Sequence, residues 1–230
     1  MTAGDVHVWR ASLSGAIPRI LATDEAARAS RIRSPLARDR FIASRAVTRS
    51  LLARYAGMPA EDLRFDRDPL GKPHLRHGSL RFSVSHSGGT YMCAISFDHE
   101  VGVDVELGDS IDSTQDLIDA ALSVREREWV RTLDDGVASA AVLRCWVRKE
   151  AVAKGMGEGL RLPFPSIQTP CSLEVRGSRV TIERRHRERW FVWDIPMPPG
   201  CFAALAAPNR RTRIRVFEWP GGGDRGEITW

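Results

Sequence analysis

Cysteine is scarce and without pattern: Cys93, Cys145, Cys171 and Cys201 are scattered through 230 residues with no CxxC spacing. That argues against a zinc knuckle and a disulfide framework. No stretch reaches the roughly 18 consecutive apolar residues of a membrane span. Residues 1–10 have no basic start leading into an apolar run, so no secretory signal and a reduced, cytoplasmic setting are expected. Low-complexity tracts and repeats of solenoid period are absent as well. What remains is ordinary globular material, 43% apolar and 27% charged, which argues against disorder. The length suits one large domain or two small ones with a core of their own.

Lysine is the sharper absence. Of 34 Lys and Arg only three are lysine, namely Lys72, Lys149 and Lys154. A lysine ammonium is a compact point charge on a flexible stem and suits a phosphate oxygen where a planar guanidinium fork does not fit. The net charge of +5 and the pI near 9.4 call for an anionic partner: nucleic acid, a phosphorylated small molecule or an acidic protein. A soluble surface that merely carries arginine explains the same balance.

Alternation over residues 5–13 predicts a strand. Ser34-Pro35 reads as an N-cap with proline at the first helical position, opening a helix that runs to Ala56 before Gly57 and Pro59. Phe41, Thr48, Leu51, Leu52 and Tyr55 share one side of it, and Arg38, Arg45 and Arg49 form a basic stripe. Residues 80–106 read as three strands, 80–85, 91–97 and 101–106, the first two joined by the Ser87-Gly88-Gly89 turn. Two helices follow, the second opened by the capping box Ser123-Val-Arg-Glu126. A further helix over 138–154 stops at Gly155 and Gly157. Strands are then expected at 171–175, 179–184, 190–195, 201–206 and 213–219. The turn-and-strand segments 88–96 and 199–206 are alike, as in a duplicated α+β unit. The division expected is 1–107 and 108–220, two similar halves, with a flexible tail over 221–230.

Four motifs can carry chemistry. In Gly102-Val-Asp-Val-Glu106, strand alternation puts Asp104 and Glu106 on one side and Val103 and Val105 on the other. Paired carboxylates at this spacing can hold a hard cation, or simply end a strand in solvent. In Trp146-Val-Arg-Lys-Glu-Ala-Val-Ala-Lys154, Trp146, Glu150 and Lys154 share a helix face. A surface ion pair would explain the Glu and Lys, though not the choice of lysine in this chain. In Phe82-Ser-Val-Ser-His-Ser-Gly-Gly89, His86 beside serines can bond a phosphate or move a proton. Gly71-Lys-Pro73 is a turn that places one lysine, and it is not a P-loop.

These pieces, in this order and together with Phe41-Ile-Ala-Ser-Arg-Ala46 and Gly159-Leu-Arg-Leu-Pro163, resemble the 4′-phosphopantetheinyl transferases of the surfactin-synthetase-activating (group II) type. The departure is Ser83, where that family usually has asparagine. The resemblance implies an α+β pseudo-dimer of two similar halves with the active site between them, acting as a monomer. It implies transfer of the phosphopantetheine arm of coenzyme A to a serine of an acidic acyl or peptidyl carrier protein, with release of 3′,5′-ADP. It further implies Mg²⁺ on Asp104, Glu106 and Glu150, with Glu150 also the base for the carrier serine, directly or through a water. Lys154 and His86 would sit on the pyrophosphate. Ser85, Lys72 and Arg45 would sit on the 3′-phosphate, with Arg67, Arg28 and Arg31 near them. Lys149 would support the metal site or the carrier. Two rivals stand beside this: a nucleic-acid-binding protein using the arginines of the 35–56 helix, and a coenzyme A-binding protein without catalysis. The DxE strand argues against the first, and the intact set of Asp104, Glu106, Glu150 and Lys154 against the second. No nucleic acid or membrane partner is expected.

Overall fold

Two helices of 22 residues each lie on a five-stranded sheet of their own. The computed structural model describes residues 4–14, 20–110, 113–183, 189–220 and 226–228. In chain order the elements begin with β1 (Asp5–Ser12), α1 (Thr23–Arg31), α2 (Pro35–Ala56), β2 (Phe65–Arg67), β3 (Pro73–Leu75), β4 (Arg81–Ser87), β5 (Thr90–Ser96) and β6 (Gly102–Leu107). They continue with α3 (Thr114–Ala121), α4 (Val124–Val130), α5 (Asp135–Met156), β7 (Ile167–Gln168), β8 (Arg176–Ile182), β9 (Trp190–Asp194), β10 (Cys201–Ala207), β11 (Arg213–Glu218) and β12 (Gly226–Ile228). The mixed α+β class in two halves is the one expected.

The first sheet has the order β12-β11-β1-β5-β4 and the second β6-β10-β9-β8-β7. Alternation along the strands divides the apolar residues among three cores. Trp9, Phe82, Tyr91 and Cys93 pack under Val47, Leu51 and Leu52 of α2. Val180, Trp190, Val192, Ala204 and Ala206 pack under Val147, Ala151 and Val152 of α5. The opposite faces, Val6, Val8, Met92 and Val216 against Val103, Val105, Trp193 and Leu205, close the two sheets on each other. The layers are therefore helix, sheet, sheet, helix. β11, late in the chain, pairs parallel with β1 at the centre of the first sheet. The second half of the chain thus lends a strand to the first.

The helix ends follow their signals. Ser34 Oγ accepts from Ala37 N at 3.3 Å, and Gly57 and Gly157 close α2 and α5 in the left-handed conformation, which costs glycine little. The capping box expected at Ser123 is formed, with Glu126 Oε2 accepting from Ser123 N at 2.8 Å. Residues 171–175 do not form the expected strand. The Arg148 guanidinium donates to the carbonyls of Pro170 and Ser172 at 3.1 and 2.9 Å, satisfying them without a ladder partner. Within the expected tail, β12 pairs with β11, while 221–225 and 229–230 lie outside the described residues, as does Arg184 at the end of the strand expected over 179–184.

Where the two sheets meet edge to edge, β4 and β6 are joined through side chains. Ser83 Oγ accepts from Val103 N at 3.1 Å, Ser85 Oγ donates to Asp104 Oδ1 at 2.7 Å, and Ser87 Oγ accepts from Leu107 N at 3.2 Å. The i, i+2 spacing puts these three serines on one side of β4. Ser83, the departure from the family pattern, satisfies a buried backbone donor here. α5 lies so close to β6 that a Cβ on Gly102 would collide with the Ala151 carbonyl and the Gly155 amide, and one on Gly155 would meet the Trp190 ring at 2.5 Å.

We expect Gly102→Ala to push α5 away from β6 and to lower stability by about 1–3 kcal/mol or more, the range for overpacking a filled interior. Urea unfolding should show a lower midpoint at an unchanged slope; a native midpoint would mean that α5 shifts without cost.

Candidate active site

β6 carries Asp104 and Glu106 on its α5 side, and α5 presents Glu150 and Lys154 one turn apart. Asp104 is 2% exposed. Its Oδ1 receives Ser85 Oγ and the Lys154 ammonium at 2.7 and 2.6 Å, and Lys154 Nζ also donates to Ser85 Oγ at 2.9 Å. Asp104 Oδ2 is buried with no hydrogen-bond partner. Burial pushes the Asp104 carboxyl up although the Lys154 ammonium opposes it. Burial, then the nearby charge of Asp104, raises Glu150 to about 7, with Lys154 opposing and Glu106 adding. Three carboxylates therefore lie near one another with a single ammonium among them.

That donor set fits a hard divalent cation: carboxylate oxygens only, one of them buried and unpartnered, in an environment short of positive charge. Among the described residues no three metal-binding side chains are drawn together closely enough to cage an ion as they stand, and it is Lys154 that supplies cationic charge to Asp104. His86, open to solvent at the end of β4, has its proton affinity lowered by partial desolvation and then by the charges of Lys154 and Arg40. The charges of those two cations thus reach the imidazole. Arg40, on the first turns of α2, is absent from the sequence-based set because only the tertiary fold brings its charge near His86.

The expected 3′-phosphate group divides. Arg28, Arg45 and Arg67 line one pocket of about 340 Å³. Arg45 pairs there with Glu25, and so does Arg49 at 2.6 Å; Arg49 is 2% exposed, so the arginine stripe of α2 is half interior. Glu25 was not anticipated, since its partners lie 20 and 24 residues away on another helix. Ser85 is elsewhere, bonded to Asp104 and Lys154. Lys72 is elsewhere too: its Nζ donates to the Gly155 carbonyl at 2.7 Å and to Glu100 at 2.5 Å, capping the end of the helix that carries Lys154. Arg31 is exposed outside the residues lining that pocket. Lys149 is turned inward. It is fully buried, bonded to the Ala121 and Phe164 carbonyls at 2.8 and 3.0 Å and paired with Glu126 at 2.5 Å. Glu126 in turn accepts from Thr169 N at 2.8 Å. Trp146 packs edge-on to Phe164 with ring centroids 5.0 Å apart.

Comparison with known proteins gives one answer. The family model described as 4′-phosphopantetheinyl transferase, N-terminal, matches residues 9–97, and that of the 4′-phosphopantetheinyl transferase superfamily matches 100–206. The chain is similar to the 4′-phosphopantetheinyl transferase HetI of Nostoc sp., 32% identical over 170 residues, which cover 70% of this chain and 72% of that protein. It is similar to the 4′-phosphopantetheinyl transferase Sfp of Bacillus subtilis at 29% identity, over 52% of this chain and 53% of the relative. A third relative, the L-aminoadipate-semialdehyde dehydrogenase-phosphopantetheinyl transferase of Xenopus laevis, is 28% identical over 58% of this chain and 49% of its own. No helix among the described residues is long and apolar enough to cross a membrane.

Two outcomes follow from the buried pairs. Lys149→Met leaves the Glu126 carboxylate uncompensated in the interior, and we expect a loss of about 3–5 kcal/mol in chemical denaturation. A loss below 1 kcal/mol would show that the pair is dispensable. For Glu25, burial raises the carboxyl, but hydrogen bonds from Arg49 and the Ala22 amide and the charge of Arg45 outweigh it, so its folded value lies below 4.5. Its contribution is thus fully present above the unfolded value and fades as pH falls through the folded one. The stability gap between native protein and Glu25→Gln should be widest above about pH 4.5 and narrow in acid; a gap constant from pH 7 to 3 contradicts this.

Proposed function

This chain belongs to the 4′-phosphopantetheinyl transferase superfamily, and we propose that the cleft between its two sheets carries that family's reaction. The protein transfers the phosphopantetheine group of coenzyme A to carrier proteins. The observation that supports this site most is Asp104, a buried carboxylate with one oxygen held by Ser85 and Lys154 and the other without a partner, beside Glu150 and Glu106.

Asp104, Glu106 and Glu150 would hold Mg²⁺, which when bound neutralises and orients the phosphoryl group. Lys154 and His86, with Arg40 beside them, offer positive charge and a donor to the pyrophosphate oxygens. Glu150 takes the proton of the carrier serine as its Oγ bonds to phosphorus. The bond from that phosphorus to the bridging oxygen breaks, and 3′,5′-ADP leaves. Arg28, Arg45 and Arg67 suit the 3′-phosphate, because together with Arg49, Arg64 and Arg76 they line one small pocket against Asp24 and Glu25. Lys72 acts at one remove, as the cap on α5. Both halves and the cleft come from one chain, which supports a monomer and the surfactin-synthetase-activating type. The positive balance of the chain favours an acidic carrier.

The decisive experiment incubates the protein with coenzyme A, Mg²⁺ and a panel of apo-carriers, each weighed for an added phosphopantetheine arm. We expect Asp104→Ala and Glu150→Ala to abolish the mass gain while remaining folded by circular dichroism. Turnover near that of the native protein at saturating Mg²⁺ would sink the assignment. Arg28→Ala with Arg67→Ala should raise KM for coenzyme A about tenfold or more and spare kcat, the mark of binding lost equally from ground and transition states. The double variant should also lose the native preference for coenzyme A over dephospho-coenzyme A. An undiminished preference would put the 3′-phosphate elsewhere.

A further inference from the structure

A second concavity lies on the opposite face of the second sheet. It is a groove of about 730 Å³ lined by Arg125, Arg176, Arg179, Arg189, Phe191 and Arg210, with no carboxylate among the described residues of its lining. All five arginines are exposed. Among the described residues none of the five is paired with a carboxylate. Other arginines of the chain are matched: Arg45 and Arg49 by Glu25, Arg148 by Asp194 and Arg76 by Asp66.

The sheet explains both the gathering and the separation from the catalytic cleft. Val180 and Trp190, a cross-strand pair, point into the core under α5. Their neighbours Arg179 and Phe191, the next pair in register, therefore take the other face. Arg189 lies two residues before Phe191, and Arg125 and Arg210 close the groove from α4 and from the β10–β11 connection. Asp104 lies on the α5 side of β6, and β10 and β9 intervene between β6 and β8. At the spacing of neighbouring strands that is roughly 14 Å away, behind the sheet.

Five like charges around one concavity repel each other and focus a positive potential that an anion relieves. Guanidinium forks match phosphate oxygens in bidentate fashion. Phe191, half-buried between Arg179 and Arg189, offers the kind of aromatic face on which a base stacks. Ser178 and Thr181 add neutral hydrogen-bonding groups, while the Gln168 amide donates to Glu183 at 3.3 Å at the groove's edge. The volume is that of a small-ligand site, and a lining so short of apolar surface does not suit a protein partner, whose interface core is apolar. We propose that this groove binds a polyphosphorylated nucleotide, at a site separate from the coenzyme A cleft.

The test titrates the full chain, without divalent metal, with ATP, with inorganic tripolyphosphate and with a single-stranded uridine oligonucleotide. ATP should bind the native protein and the cleft variant Lys154→Ala alike. Arg179→Ala with Arg189→Ala, both solvent-facing, should weaken it tenfold or more at an unchanged thermal midpoint. Phe191→Ala should weaken ATP severalfold and leave tripolyphosphate unaffected. ATP binding that survives the double arginine variant, or that disappears in Lys154→Ala, would return the nucleotide to the catalytic cleft. Equal affinities for ATP and tripolyphosphate in the native protein would reduce the groove to a phosphate site and overturn the nucleotide. Oligonucleotide bound in the groove while ATP is not would make it a nucleic-acid surface instead.

Discussion

One buried carboxylate ties the molecule together. Asp104 sits on the edge strand of the second sheet, accepts from Ser85 on the edge strand of the first, and pairs with Lys154 on the long helix. Burying a charge is tolerable only when it is paired and hydrogen-bonded, so the three elements that meet there are constrained together. Ser83 and Ser87 extend the same junction along β4 and β6. Residues of both halves meet at Asp104 because these two edges are held side by side without fusing into one sheet.

The approach of α5 to β6 serves the same end. Gly102 and Gly155 remove the two Cβ atoms that would hold helix and strand apart, and the helix then brings Glu150 and Lys154 over the strand that carries Asp104. Two further contacts fix the helix from behind. Lys149 anchors it to the carbonyls of Ala121 and Phe164, and Lys72 caps its end at Gly155. Of the three lysines in the chain, one thus meets Asp104 and Ser85 and two hold the helix that presents it.

Charge is partitioned in a comparable way. The arginines of α2 that look like a basic stripe are partly consumed by Glu25, which turns a surface feature into a support for the pocket beside it. The arginines of β8 and its surroundings meet no paired carboxylate among the described residues. A net charge alone cannot distinguish the two, because the difference lies in which carboxylates the fold brings near.

The sequence by itself determined what is local. The DxE alternation on one strand, the i, i+4 spacing of Trp146, Glu150 and Lys154, the cap residues Ser34 and Ser123, and the glycines that close the long helices all act through backbone periodicity or contacts within one turn. The resemblance carried by those motifs led to the family that the comparisons bear out. Tertiary structure decided the rest. It separated Lys72 and Ser85 from Arg45, turned Lys149 inward, brought Arg40 toward His86, and inserted β11 beside β1. Each of these is settled by a partner distant in sequence, such as Gly155 for Lys72 or Glu126 for Lys149. A lysine spared by an arginine-rich chain announces that it has a task. Whether that task is to meet a phosphate or to satisfy buried carbonyls depends on which side of the helix is desolvated, and only the packing of the sheets decides that.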